Sequence, residues 1–131
     1  MTANVEPIFA LTPVIGTVEI HTANTARDGS GTIGTVLTGG ANGTRVTRII
    51  VQALVTTTAG VVRLFIDSGA VIYLWKEILV AAITGSATVL EFVSVLNLLG
   101  ELALVLPSGY ILMASTHNAE SFAIIAEGGD Y

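Results

Sequence analysis

The chain has 131 residues, a net charge of −5 and only five Lys and Arg with no basic run, which argues against a nucleic-acid partner. It has no cysteine, so disulfides, thiolate metal sites and thiol catalysis are excluded. Hydrophobic residues reach 52% before its 14 glycines are counted, and charged residues only 11% against about 25% in a typical domain.

Residues 1–16 hold Pro7 and Pro13 without a clear period and read as an extended N-terminal arm, with strand pieces along an edge. A single domain then spans 17–131. The opening MTANVEPIF has no basic segment ahead of an apolar run, so no secretory signal is expected. Over 17–23, Val18, Ile20 and Thr22 alternate with Thr17, Glu19 and His21, the period of a strand. A polar loop follows at 24–31, a strand at 32–38 and a glycine-rich turn at 39–43.

The strongest strand signal is 44–55, TRVTRIIVQALV, where β-branched residues suit a pleated surface. One face carries Thr47, Ile49, Val51, Ala53 and Val55; the other carries Val46, Arg48, Ile50, Gln52 and Leu54. After TTTAG, the runs VVRLFID and AVIYLWKEILV flank Ser68-Gly69 and predict a hairpin. A two-residue loop there sets Ile66 opposite Val71, Leu64 opposite Tyr73 and Val62 opposite Trp75. Residues 84–87 turn the chain, 88–95 form a strand, 97–101 interrupt and 102–106 resume. Pro107-Ser108-Gly109 turns into the strand YILMAST, 116–120 is a polar loop, and 121–127 is the last strand before Gly-Gly-Asp-Tyr.

Eight or nine strands between turn clusters, with no convincing helix, predict an all-β antiparallel sandwich or jelly roll. A mean hydropathy of +0.78 is high for such a domain. No apolar run approaches the about 18 residues of a spanning helix, and Lys76 and Glu77 interrupt the longest apolar stretch. Two-sided apolar strands and few aromatics also argue against a membrane barrel. A small domain has too little interior for this much apolar side chain, so the excess is expected to meet another subunit. Candidates for that interface, or for the core, are Ile49, Val51, Tyr73 and Trp75, and the pattern leaves open which.

Chemistry finds little support. His21 and His117 are the only histidines and form no His-x-His pair, so no metal site is expected. Ser115, Thr116 and His117 are adjacent, and neighbours on a strand point to opposite faces. There is no G-x-S-x-G elbow, and the glycine clusters lack the Lys-Ser/Thr of a phosphate cradle. The chain is therefore read as a non-enzyme without a cofactor. The loop bearing His117, Asn118 and Glu120 is a candidate exposed binding loop, with Tyr110 or Trp75 as stacking partners for a sugar. Arg45, Arg48 and Arg63 are candidates to pair with Glu77 or Glu91.

Two stretches carry a resemblance. GTRVTRIIVQALVTTTAGVVRLFI at 43–66 and the end LPSGYILMASTHNAESFAIIAEGGDY resemble small tailed-phage capsid decoration, or cement, proteins. The shared elements are the TTTAG turn into an Arg-Leu-Phe strand, the LPSGY turn, the AST-x-N loop and the closing Gly-Gly-Asp-Tyr. The likeness covers roughly 43–131, and 1–42 carry no assigned motif. It implies a TNF-like jelly roll that assembles as a homotrimer, made in the bacterial host cytoplasm and placed on the virion surface. There it would bind the major capsid protein and stabilise the shell. No catalytic or cofactor residue is implied. The alternative is a tail- or fibre-associated, or carbohydrate-binding, jelly-roll module.

Overall fold

The computed structural model describes residues 9–98 and 104–131. These form nine strands and no helix: β1 (Thr12–Ile20), β2 (Gly34–Thr38), β3 (Thr44–Ala53), β4 (Gly60–Asp67), β5 (Ile72–Val80), β6 (Val93–Asn97), β7 (Leu104–Leu106), β8 (Ile111–Thr116) and β9 (Phe122–Asp130). One antiparallel sheet has the order β1-β9-β3-β6, with β7 also on β3; the other has the order β2-β8-β4-β5. The pairs β1–β9, β2–β8, β3–β6 and β4–β5 nest like a folded ribbon rolled onto itself, which is the jelly-roll sandwich expected from the strand spacing.

The interior is filled from both sheets. β3 supplies Val46, Ile49, Val51 and Ala53, and β9 supplies Phe122, Ile124 and Ala126. Facing them are Val62 and Leu64 of β4, Leu112 and Ala114 of β8, and Ile78 and Val80 of β5. Phe92 and Phe122 meet edge to face at 6.5 Å, the arrangement their ring quadrupoles favour.

Bulges change which residues face inward. The β3–β9 register shifts between Val46 and Arg48, leaving Thr47 as the extra residue. Val46 and Ile49, which strict alternation places on opposite faces, are therefore both buried. The partner strand runs to Asp130, three residues past the end predicted from Gly128-Gly129. Glycine is required there by contact, not by φ. A Cβ at Gly128 would overlap the Arg45 carbonyl oxygen across the bulge. Gly128→Ala is accordingly expected to destabilise the fold by about 3 kcal/mol, the upper range for overpacking, because a backbone atom cannot move aside. A urea-unfolding midpoint measures it.

The β4–β5 hairpin also departs from expectation. Its connection has four residues, 68–71, closed by Ser68 N–H to Val71 O at 3.0 Å. Asp67 Oδ1 accepts the Gly69 N–H at 2.7 Å, and Gly69 takes a φ of 91°. Ile66 thus faces Tyr73, not Val71, and a bulge between Leu64 and Phe65 makes Trp75 the extra residue on β5. Leu64 lies opposite Lys76 and Val62 opposite Ile78.

Two other boundaries move. β1 begins at Thr12 and pairs along its whole length with β9, so 12–16, read as arm, belong to a strand at the sheet edge. β6 covers 93–97, while 86–91 is a turn region held by the Ser86 hydroxyl, which accepts the N–H groups of Thr88 and Val89. Of the interruption predicted at 97–101, Asn97 instead closes β6, and 99–101 lie outside the described residues.

Candidate functional site

The two sheets differ in what lies on their outer faces. On β4, Arg63 and Phe65 point away from Val62 and Leu64, yet all four are fully buried. The cover is the 21–33 segment, which starts beside the end of β8 through Asn24 N–H to Thr116 O at 2.8 Å. It passes over β4, where Asn24 O accepts from Arg63 Nη1 at 3.1 Å, and reaches β5, where Gly29 lies against Ile72.

Among the described residues, the outer face of β1-β9-β3-β6 is open instead. The registers align Thr17, Ile125, Ile50 and Val95 in one row across the four strands. The next row towards the loops is Glu19, Ala123, Gln52 and Val93; on the other side come Ile15, Glu127, Arg48 and Asn97. Ile15 is 67% exposed and Val95 is 53% exposed, with Val93 and Val105 also exposed. Ile50 and Ile125 are half-buried between them. A sheet face that met only water would alternate apolar-in with polar-out. This one is apolar at its centre.

Its charges are few and balanced. Arg48 grips Glu127 with Nη2–Oε1 at 2.8 Å and Nε–Oε2 at 3.0 Å, a two-pronged pair within the sheet. With Arg45 and Glu19 the face carries two cations and two anions, in a chain of net charge −5. Shallow grooves flank this pair. One of about 250 Å³ is lined by Thr47, Arg48, Asn97 and Glu127. Another of about 270 Å³ runs along Leu11, Pro13, Arg45 and the side-chain-free strip Gly128-Gly129. A larger one of about 560 Å³ opens between Asn42, Val105, Pro107 and Tyr131.

The predicted interface residues do not form one patch. Ile49 and Val51 are core residues with no exposure. Tyr73 is 68% exposed near the turn end of β5, in the other sheet. Trp75 packs against the core from its bulge, with Lys76 Nζ 5.4 Å from its ring. The face is made by Ile15, Ile50, Val95 and Ile125, of which the sequence had marked only Ile50, as part of the strand's other side.

The loop of His117, Asn118 and Glu120 is only partly exposed, and one polar atom of each is engaged within the fold, while the buried Glu120 Oε2 has no hydrogen-bond partner. Asn118 Nδ2 donates to Thr58 Oγ1 at 3.1 Å and to Ala59 O at 3.2 Å. Glu120 Oε1 accepts the Thr58 N–H at 2.8 Å and its hydroxyl as well. His117 Nδ1 lies 3.1 Å from Arg63 Nη2. Tyr110 sits at the opposite end of β8 and packs on the core, so it cannot stack on a ligand held by this loop. The Arg63–Glu77 pair anticipated from the sequence is present at 3.2 Å, whereas Arg48 pairs with Glu127.

Among the described residues no group of three or more His, Cys, Asp or Glu is placed to hold a metal ion. No helix of the described residues is long and apolar enough to cross a membrane. No protein-family model matches the chain, and no curated protein matches it.

Proposed function

We propose that this protein is a non-enzymatic structural subunit that forms a homotrimer through the outer face of β1-β9-β3-β6. In this reading the trimer decorates the outside of a tailed-phage capsid, bound to the major capsid protein, and stiffens the shell. The observation that carries the assembly is the apolar row of Ile125, Ile50 and Val95, on a sheet whose outer side the described residues leave largely uncovered. Charge favours copies of the same chain as the partner. Two molecules of net charge −5 repel, and a face with two arginines and two glutamates is where they repel least. Around a three-fold axis such faces turn inward and leave the loop ends free for a second partner. The capsid part rests on the resemblance over 43–131. Many trimers on one shell would act together, so that modest contacts add up to tight attachment.

The carbohydrate-binding alternative gains little from the 117–120 loop, where Glu120 Oε1, Asn118 Nδ2 and His117 Nδ1 already meet Thr58, Ala59 and Arg63. Purified protein mixed with undecorated heads tests the capsid reading. It is expected to co-sediment with them at micromolar concentration and to raise their resistance to heat. Heads that neither bind it nor gain resistance would remove the capsid assignment and leave the trimer to be judged separately.

A further inference from the structure

We propose that Phe9 and Leu11 of one copy seat in the groove between Val105, Pro107 and Tyr131 of the next copy, joining protomers head to tail. The inference rests on the trimer reading above and names the two surfaces that close the ring. It starts from the edges of the β1-β9-β3-β6 sheet, which differ in shape. At the β1 edge, Leu11 N–H donates to Asp130 O at 2.8 Å, and Ala10 lies where a side chain on Gly129 would stand. The segment is thus fixed to the end of β9. Phe9 and Leu11 flank Ala10 and are 75% and 83% exposed, so two large apolar side chains project from an anchored base.

The opposite edge offers a hollow. Beside Val105 of β7, which pairs with Arg45 of β3, a groove of about 560 Å³ opens between Asn42, Gly43, Pro107, Ser108 and Tyr131. That volume lies within the range of about 300–1,000 Å³ typical of clefts that take a small molecule, and gives room for two apolar side chains. Its walls are set before anything binds. Tyr131 N–H donates to Gly43 O at 3.1 Å, and Tyr110 N–H donates to Pro107 O at 3.0 Å across the turn. A preformed groove loses little freedom when it is filled. No lining residue is charged. Phe9, Ala10 and Leu11 carry no charge either, so copies of net charge −5 meet here without opposing side chains.

The projection and the groove do not meet within one chain. β9 and β3 stand between β1 and β7, a span of three strand spacings or about 14 Å, and Phe9 is in solvent. Both features lie at the same end of the sheet, since Pro13, Gly129, Arg45 and Val105 form one row across it. A projection on one edge and a hollow on the other, at one level, make a contact between unlike surfaces. Repeated by rotation, such a contact closes into a ring. It also continues the open face. Ile15 follows Leu11 along the β1 edge, Val95 precedes Val105 along the other, and all four are exposed.

The chain has no cysteine, so two introduced thiols report alone. Leu11→Cys combined with Ser108→Cys, treated with a short thiol-to-thiol cross-linker, is expected to give covalent dimers and trimers on a denaturing gel. A three-chain assembly that yields no link between copies, or links only within one chain, would overturn the proposal and leave the groove to the capsid protein. Phe9→Ala in the otherwise unchanged chain is expected to raise the concentration at which the trimer falls apart at least about tenfold, with the far-ultraviolet circular dichroism unchanged. Dissociation that does not respond to Phe9→Ala would also overturn the proposal, and this variant decides alone if the cysteine variant does not assemble. A wild-type chain that stays monomeric would remove the trimer reading and this inference together. A trimer indifferent to both variants would remove only the inference.

Discussion

Ile125→Glu is expected to convert the proposed trimer into folded monomers. Ile125 occupies the middle of the open face, with Ile50 opposite on β3 and Thr17 opposite on β1. No cation stands directly across from it, and the next outward residue on β9 is Glu127, already paired with Arg48. A carboxylate there would be taken from water without a partner on assembly. Such a charge costs about 3 kcal/mol or more, roughly a hundredfold or greater loss in association at each contact. The protomer loses only a half-buried side chain that points away from the sandwich interior, so it is expected to stay folded. Size exclusion with light scattering reads the loss of mass, and far-ultraviolet circular dichroism reads the retained β structure. A variant that keeps the assembled mass would place the contact on another surface.

Ile49→Ala should do the reverse. Ile49 is fully buried between the sheets, opposite Ala126 on β9 and Leu96 on β6. Truncation removes apolar contact and leaves a cavity that a sandwich closed by two hydrogen-bonded sheets fills poorly. Losses of about 2–5 kcal/mol are typical of such a change. The urea midpoint is expected to fall by a corresponding amount, while the assembled mass under native conditions persists. A stability equal to that of the parent would mean that Ile49 is not a core residue.

These contrasting outcomes at buried Ile49 and outward Ile125 mark the boundary of what the sequence makes legible. Alternation and β-branched residues were sufficient to identify β3 and its neighbours, because a pleated strand with one buried side repeats every two residues. The excess of apolar residues over charge led to the expectation of a surface that meets another subunit, without marking a face. What alternation cannot carry is an extra residue. The bulge at Thr47 puts Val46 on the same side as Ile49, and the bulge at Trp75 turns the predicted ladder of β4 and β5 by one place. Neither leaves a local signature, since each is stabilised by what the partner strand permits.

Gly128 and Gly129 misled for a related reason. A glycine pair near the chain end reads as the end of the strand, but here Gly128 makes room for the Arg45 carbonyl and Gly129 for Ala10, demands set by residues far away in sequence. The 117–120 loop misled in the other direction. Polar side chains between strands read as a ligand-binding surface, and only the fold reveals that Thr58, Ala59 and Arg63 use them. The contact of His117 with Arg63 was equally hidden, because the two lie 54 residues apart in sequence.

The measurement that bears most directly on the central claim is the solution mass of the purified protein by light scattering after size exclusion. Three chains of 13.5 kDa give about 40 kDa, the closed assembly in which each open face is covered by its neighbours. A stable species of that mass is the predicted result. A monomer of 13.5 kDa at the same concentration would show that the row of Ile125, Ile50 and Val95 stands in water, and would contradict the account.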